Sequence, residues 1–257
     1  MSSTKIISVV NQKGGVGKTT TTVNLGTALA SIEKEILLID LDPQGNLSTG
    51  LGINESQRNL SIYDLIVGDK NTKDVILSTK IPNLNIITSN INLSGIEFEL
   101  ADDKDKTDKL AKSLISLSKN YDFVIIDCPP SLGILTVNSL VASDSILVPL
   151  QCEFYALEGL AQLLRTIEKI KYNLNKNLFL EGIILTMYDP RNRLCDDVVA
   201  DAKKHLGEKV FKTVVPRNVR LSEAPSHGLP AILYDQKCAG SIAYINLAKE
   251  LLNRLKI

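Results

Sequence analysis

The densest chemistry in the chain lies between positions 13 and 19, which read Lys13, Gly14, Gly15, Val16, Gly17, Lys18 and Thr19. Glycines in such a run let successive backbone N–H groups turn inward on an anion, because no Cβ blocks the turn. A lysine after the last glycine reaches the terminal phosphates of a nucleotide, and the hydroxyl beside it suits a magnesium ion. The β-branched run from Lys5 to Val10 precedes the loop, and a helix-forming stretch from Thr19 to Ala30 follows it. That order points the positive end of a helix at the same anion. The common pattern G-x-x-x-x-G-K-[ST] calls for glycine at position 12. Here Gln12 stands there, and a second lysine, Lys13, comes before the glycine pair.

Carboxylates mark the ends of two further apolar runs. The segment Leu37–Asn46 reads as a buried strand that ends in Asp40 and Asp42 before the turn Pro43-Gln44-Gly45, and Phe123–Asp127 is a second such strand closed by an acid. Strand-length apolar runs alternate with helical patterns along the chain, which predicts βαβ units and a mainly parallel, doubly wound sheet in a single α/β domain over residues 1–257. Strands are predicted over Lys5–Val10, Glu35–Asp40, Leu84–Thr88, Phe123–Asp127, Ser145–Leu150, Leu180–Thr186 and Thr213–Val215. Helices are predicted over Lys18–Ser31, Lys106–Lys119, Leu157–Asn173, Asp196–Leu206 and Ala239–Leu255. The polar stretch Asn46–Lys80 has no clear period, although Ser61 is placed to open a short helix that Gly68 closes. This frame puts Asn11, Asp40, Asp42 and Asp127 at the carboxyl edge of the sheet, where open α/β sheets bind ligands.

Composition narrows the classes. Of 257 residues, 44% are hydrophobic and 23% charged, and 29 basic residues balance 29 acidic ones. Nucleic-acid binding therefore draws no support from net charge and requires a local patch. No stretch approaches the roughly 20 apolar residues of a membrane span, and the first strand begins too early to leave room for a signal peptide. Cys128, Cys152, Cys195 and Cys238 are scattered without a C-x-x-C pair, which reads as free thiols.

Lys13 with Gly14 to Thr19 resembles the deviant Walker A loop of the ParA/MinD class of ATPases. The likeness extends over Leu37–Asn46, over Phe123–Pro130, over Gln151–Gly159 and over Pro216–Gly228, and these segments together resemble the chromosomal, Soj-like ParA branch. The resemblance implies a P-loop NTPase fold, with ATP and Mg2+ as cofactors and an ATP-dependent homodimer. It gives Lys13 a contact in trans with the nucleotide of the other subunit, and gives the cradle to Gly14, Gly15, Val16, Gly17, Lys18, Thr19 and Thr20. Thr19 and Asp127 are implied to hold the metal, and Pro216 with Asn218 to flank the adenine. Asp42 takes the role of positioning the attacking water, with Asp40, two residues earlier on the same strand face, as the second candidate. Arg191 and Arg220 match positions that carry nonspecific contacts to double-stranded DNA. A ParB-type partner that stimulates hydrolysis, no membrane partner and a cytoplasmic, nucleoid-associated location complete the expectation.

A MinD-like membrane-associated ATPase for placing the division site is the alternative. That branch carries an amphipathic membrane helix, whereas Ala243–Leu255 reads here as a core-packing helix without a basic tail. No operator-reading helix-turn-helix motif is found, so backbone contact without sequence readout is the expected mode of DNA binding.

Overall fold

Alternating side chains divide the interior into two layers. In β2 (Ile36–Asp40), Ile36 and Leu38 turn to one face of the sheet and Leu37 and Ile39 to the other. The same split runs through β1 (Lys5–Val9) and β5 (Phe123–Asp127). Strands buried on both faces need apolar residues at nearly every position, and these strands have them. The computed structural model describes residues 4–117, 120–153 and 155–257. With β3 (Ile76–Ser78), β4 (Leu84–Ile87), β6 (Ser145–Gln151) and β7 (Phe179–Thr186), the sheet has seven strands in the order β3-β4-β2-β5-β1-β6-β7. Every pairing is parallel except that of the edge strand β3.

Helices cover both faces. Those introduced here are α1 (Lys18–Ala30), α2 (Asn46–Gly50), α3 (Ile62–Val67), α4 (Ile96–Glu99), α5 (Lys109–Leu114), α6 (Ile134–Ala142), α7 (Ala156–Asn173), α8 (Arg193–Leu206), α9 (Val219–Glu223), α10 (Ala231–Tyr234) and α11 (Ala239–Leu255). The face of Ile7, Leu38 and Ile125 packs against α1, α2, α9, α10 and α11. The opposite face packs against α3 to α8. Tyr244 is the largest fully buried side chain among the described residues, and its hydroxyl lies 3.1 Å from Thr21 Oγ1, joining α11 to α1.

Register sets the site. Asp127 at the end of β5 stands opposite Val9 of β1 on one side and Asp40 of β2 on the other. The two carboxylates and the loop that leaves β1 are thereby brought to one level at the carboxyl edge.

Several expectations are corrected. Thr213–Val215 is not a sheet strand; the nearby chain meets β7 and the turn after it through isolated bridges at Val210 and Pro216. The seventh strand is instead Ile76–Ser78, at the opposite edge of the sheet and too short to stand out in the sequence. The helix expected over Lys106–Lys119 is α-helical only over Lys109–Leu114 and tightens into a 3-10 turn at Ile115–Leu117. Its predicted end at Ser118 and Lys119 lies outside the described residues, as does Phe154. The helix α6 had no predicted counterpart. The short helix after Ser61 is present, with the Ser61–Asp64 capping box and Gly68 left-handed at its end.

Candidate functional site

Between β1 and α1 the chain wraps a concave loop. Gly15 (φ 74°) and Gly17 (φ 90°) adopt left-handed backbone that a side chain would strain, and this brings the loop around the first turn of α1. No side chain caps α1 and no acid lies in its first turn, so its N-terminal N–H groups are left for a ligand. Lys18 is 7% exposed and its Nζ donates to the Lys13 carbonyl at 3.1 Å, across the mouth of the loop. Burial lowers its pKa, and the carboxylates of Asp127 and Asp42 oppose that shift by favouring the charged form. The loop is further fastened by Asn11, whose side chain donates to the Pro149 carbonyl and accepts from Lys13 N–H. Thr186 at the end of β7 donates to the carbonyl of the buried Val16.

Behind Thr19 lies the acid expected there. Thr19 Oγ1 donates to Asp127 Oδ2 at 2.6 Å, and Thr22 Oγ1 to Oδ1 at 3.4 Å. Asp127 is wholly buried, and burial followed by the neighbouring Asp40 pushes its carboxyl up to about 8. A site that makes a carboxylate this costly to ionise favours a cation that restores the charge. The two candidate carboxylates of β2 part company here. Asp40 is fully buried and accepts from both the backbone N–H and the hydroxyl of Ser48, and burial raises it to about 6. Asp42 instead lines the cleft in front of the loop, and its Oδ1 accepts from Gln44 N–H.

That cleft holds about 480 Å³ and is lined by Gly14, Gly15, Gly17, Lys18, Thr19 and Thr20 on one wall and by Asp42, Gln44 and Asn46 on another. A second, smaller pocket of about 230 Å³ adjoins it through Gly17, Thr20, Met187, Leu221 and Pro225. Pro216 and Asn218 lie in its wall beside Val215 and Arg217. A charged groove continuing into a less polar slot matches a polyphosphate joined to a planar base. Lys13 points elsewhere. Its ammonium pairs with Glu153, just past β6, outside the cleft.

Both arginines expected at a DNA surface are exposed and already paired with acids. Arg191 makes a two-pronged contact with Asp189, at 2.9 and 2.7 Å. Arg220 pairs with Glu223 at 2.8 Å and Asp235 at 3.5 Å and lies over the Tyr234 ring. Arg217 N–H donates to the Tyr188 carbonyl, which sets the segments carrying the two arginines side by side. Met187, at φ 53° the one site-lining residue other than glycine with left-handed backbone among the described residues, sits where the two pockets meet. Neither Met187 nor Thr186 is distinguished in the sequence except by its position at a strand's carboxyl end.

A family model described as an AAA domain matches residues 4–180. The chain is 52% identical to "Chromosome partitioning protein ParA" of Caulobacter vibrioides, over 97% of this chain and 94% of that one. It is likewise 52% identical to "Sporulation initiation inhibitor protein Soj" of Bacillus subtilis, over 96% and 98%. Among solved structures, cobyrinic acid a,c-diamide synthase of Mycobacterium smegmatis with bound ATP analog and magnesium superposes with a TM-score of 0.89, at 36% identity over 98% of this chain and 96% of that one. Identity of this extent with both partitioning proteins, on a sheet whose carboxyl edge gathers the glycine loop and three acids, leaves one conclusion: the chain belongs to the ParA/Soj family of chromosome-partitioning ATPases.

Proposed function

We propose that this partitioning ATPase binds magnesium-ATP in the cleft, pairs with a second copy around it, holds nonspecific double-stranded DNA in the paired state, and lets go when a ParB-type partner speeds hydrolysis. The observation that carries the reading is the meeting of Lys18, the Thr19–Asp127 pair and Asp42 around one cleft that the glycine loop floors. Lys18 exchanges the Lys13 carbonyl for phosphate oxygens, and the loop N–H groups take the remaining oxygens. Thr19 and Asp127 are the residues that would hold magnesium, whose chemistry is to draw charge from the phosphates. Asp42, on the open wall of the cleft, orients a water and accepts its proton. The smaller pocket beside Pro216 and Asn218 takes the base. Lys13 must leave Glu153 to reach a nucleotide held by a second subunit.

The solved relative bearing a synthase name shares the fold and the ligand class, but the two partitioning proteins are markedly more similar in sequence. The MinD-like alternative finds less support. The helix α11 buries Ala243, Tyr244, Leu247, Ala248 and Leu251 in the core it shares with α1 instead of presenting them to lipid. DNA retention and vesicle flotation, run side by side with ATP and magnesium, test the reading. Retention on DNA without flotation is expected, and flotation without DNA binding would reverse it.

A further inference from the structure

Arg58 carries a buried charge. It is 7% exposed, and among the described residues its guanidinium hydrogen bonds reach no carboxylate; every one runs to the short segment that follows Asp42. Nη1 donates to the Gly45 carbonyl at 3.3 Å, Nη2 to Thr49 Oγ1 at 2.8 Å, and Nε and Nη2 to the Ile53 carbonyl at 3.1 and 2.5 Å. The contacts therefore touch the residue before α2, a residue within it and a residue beyond it. Burying an arginine with no carboxylate in direct contact is costly unless its donors are satisfied; Asp40 and Glu55 favour its charge through space, and its hydrogen bonds all go to that one segment.

The segment's need of support is visible in α2 itself. A five-residue helix cannot hold its own shape, and no side chain caps its start, where Gly45 is left-handed at φ 64°. A side chain at position 45 would collide with Arg58 Nη1, so glycine and arginine occupy one another's space. On the other side, Asp40 accepts from the Ser48 N–H and hydroxyl, and Ser89 Oγ donates to the Asp42 carbonyl at 2.6 Å. Gly45 N–H donates to that same carbonyl at 2.9 Å. The turn carrying Asp42 is thus held between a buried carboxylate and a buried guanidinium.

We infer that Arg58 is a positioning residue for hydrolysis: by strapping Gly45, Thr49 and Ile53 together, it fixes the backbone from which Asp42 reaches the cleft. The inference rests on the proposed role of Asp42 in orienting the attacking water. Arg58 itself does not line the cleft or touch the glycine loop, and it reaches the cleft wall only through Thr49, so its removal is expected to spare most of the nucleotide affinity while slowing hydrolysis.

The test is a double-mutant cycle on single-turnover ATP hydrolysis, with affinity for a fluorescent ATP analogue and melting temperature measured alongside. Arg58→Met and Arg58→Lys are expected to bind the analogue nearly as the unaltered protein does and to hydrolyse about 10- to 100-fold more slowly, the cost of misplacing a reacting group by about 1 Å. In the Asp42→Ala background, adding Arg58→Met is expected to change the residual rate no further. Should Arg58→Met fail to fold, Thr49→Val, which keeps the shape and removes the hydroxyl that Nη2 meets and that donates to the Gly45 carbonyl, is read in the same cycle against its own nucleotide affinity, since Thr49 also lines the cleft. The same slowing in both backgrounds, unaltered hydrolysis in the Arg58 variants, or loss of affinity in step with rate would overturn the inference. Asp42→Ala hydrolysing at full rate would remove the reading beneath it, a result visible without any Arg58 variant.

Discussion

Replacing Asp40 with asparagine should make the nucleotide-free protein harder to unfold above neutral pH and leave it unchanged in acid. Asp40 is fully buried one strand from Asp127, and its main partners are the N–H and hydroxyl of Ser48. Asparagine keeps an oxygen for both Ser48 donors and removes the charge, while its amide nitrogen replaces the oxygen that the Asp42 N–H meets at 3.4 Å. Burial lifts the Asp40 carboxyl from 3.8 to about 6, so the folded state binds its proton more tightly than the unfolded state does. Stability drawn from this group is therefore full below about pH 4 and is lost as pH rises towards about 6. At about 1.4 kcal/mol per pH unit the loss comes to about 3 kcal/mol. An amide oxygen accepts the Ser48 bonds less strongly than a carboxylate, so we take about 2 kcal/mol as the net gain of Asp40→Asn at pH 8. For a chain of this size that is a rise of ~4–8 °C in melting temperature. Circular dichroism melts without nucleotide or magnesium, at pH 4 and pH 8, read the difference directly. A variant that melts lower at pH 8, or differs equally at both pH values, would show that Asp40 is not held against the cost of its own charge.

Other outcomes follow from the same geometry. Lys18→Ala removes the buried cation of the loop and should abolish ATP binding in isothermal titration. Asp42→Ala should bind ATP normally and accumulate as an undissociated dimer in sedimentation, since the phosphate cradle is intact; rapid hydrolysis by this variant would return the role to Asp40. A Cβ at Gly14 meets nothing within 4 Å in the single subunit, so Gly14→Val should melt and bind nucleotide as before while failing to dimerise with ATP. Arg220→Ala should weaken DNA retention while sparing the dimer, and because Arg220 is shared with Glu223 and Asp235, the loss should be partial.

Much of the site was legible because its chemistry is local in sequence. Lys13 to Thr19 and the acid-terminated runs at Asp40, Asp42 and Asp127 place themselves once the flanking strands are recognised. Parallel register then brings Asp40 and Asp127 together, a contact between residues 87 positions apart that no local pattern announces. The edge strand Ile76–Ser78 escaped because three residues do not make a period, and α6 escaped because it is short and buries Thr136, Asn138 and Ser139 along with its apolar residues, which blurs the helical period. Arg58 was equally hidden. A lone arginine in a polar stretch reads as a solvated cation, and only the folded chain shows its donors turned inward onto α2. The carboxylates beside Arg191 and Arg220 carried a signal that was there to find, since Asp189 and Glu223 lie two and three residues away.

The central claim is that nucleotide state governs DNA binding through pairing of two copies. A chain with 29 basic and 29 acidic residues attracts DNA weakly at a distance, and joining two small patches strengthens retention without any new contact. The direct test measures retention on nonspecific duplex DNA without nucleotide, with ADP, with ATP and with a slowly hydrolysed ATP analogue, each across a salt series and with sedimentation of the same samples. Retention confined to the ATP and analogue samples, coincident with the dimer and falling steeply with salt, is the predicted result. Equal retention in all four states, or retention by a species that sediments as a monomer, would contradict it.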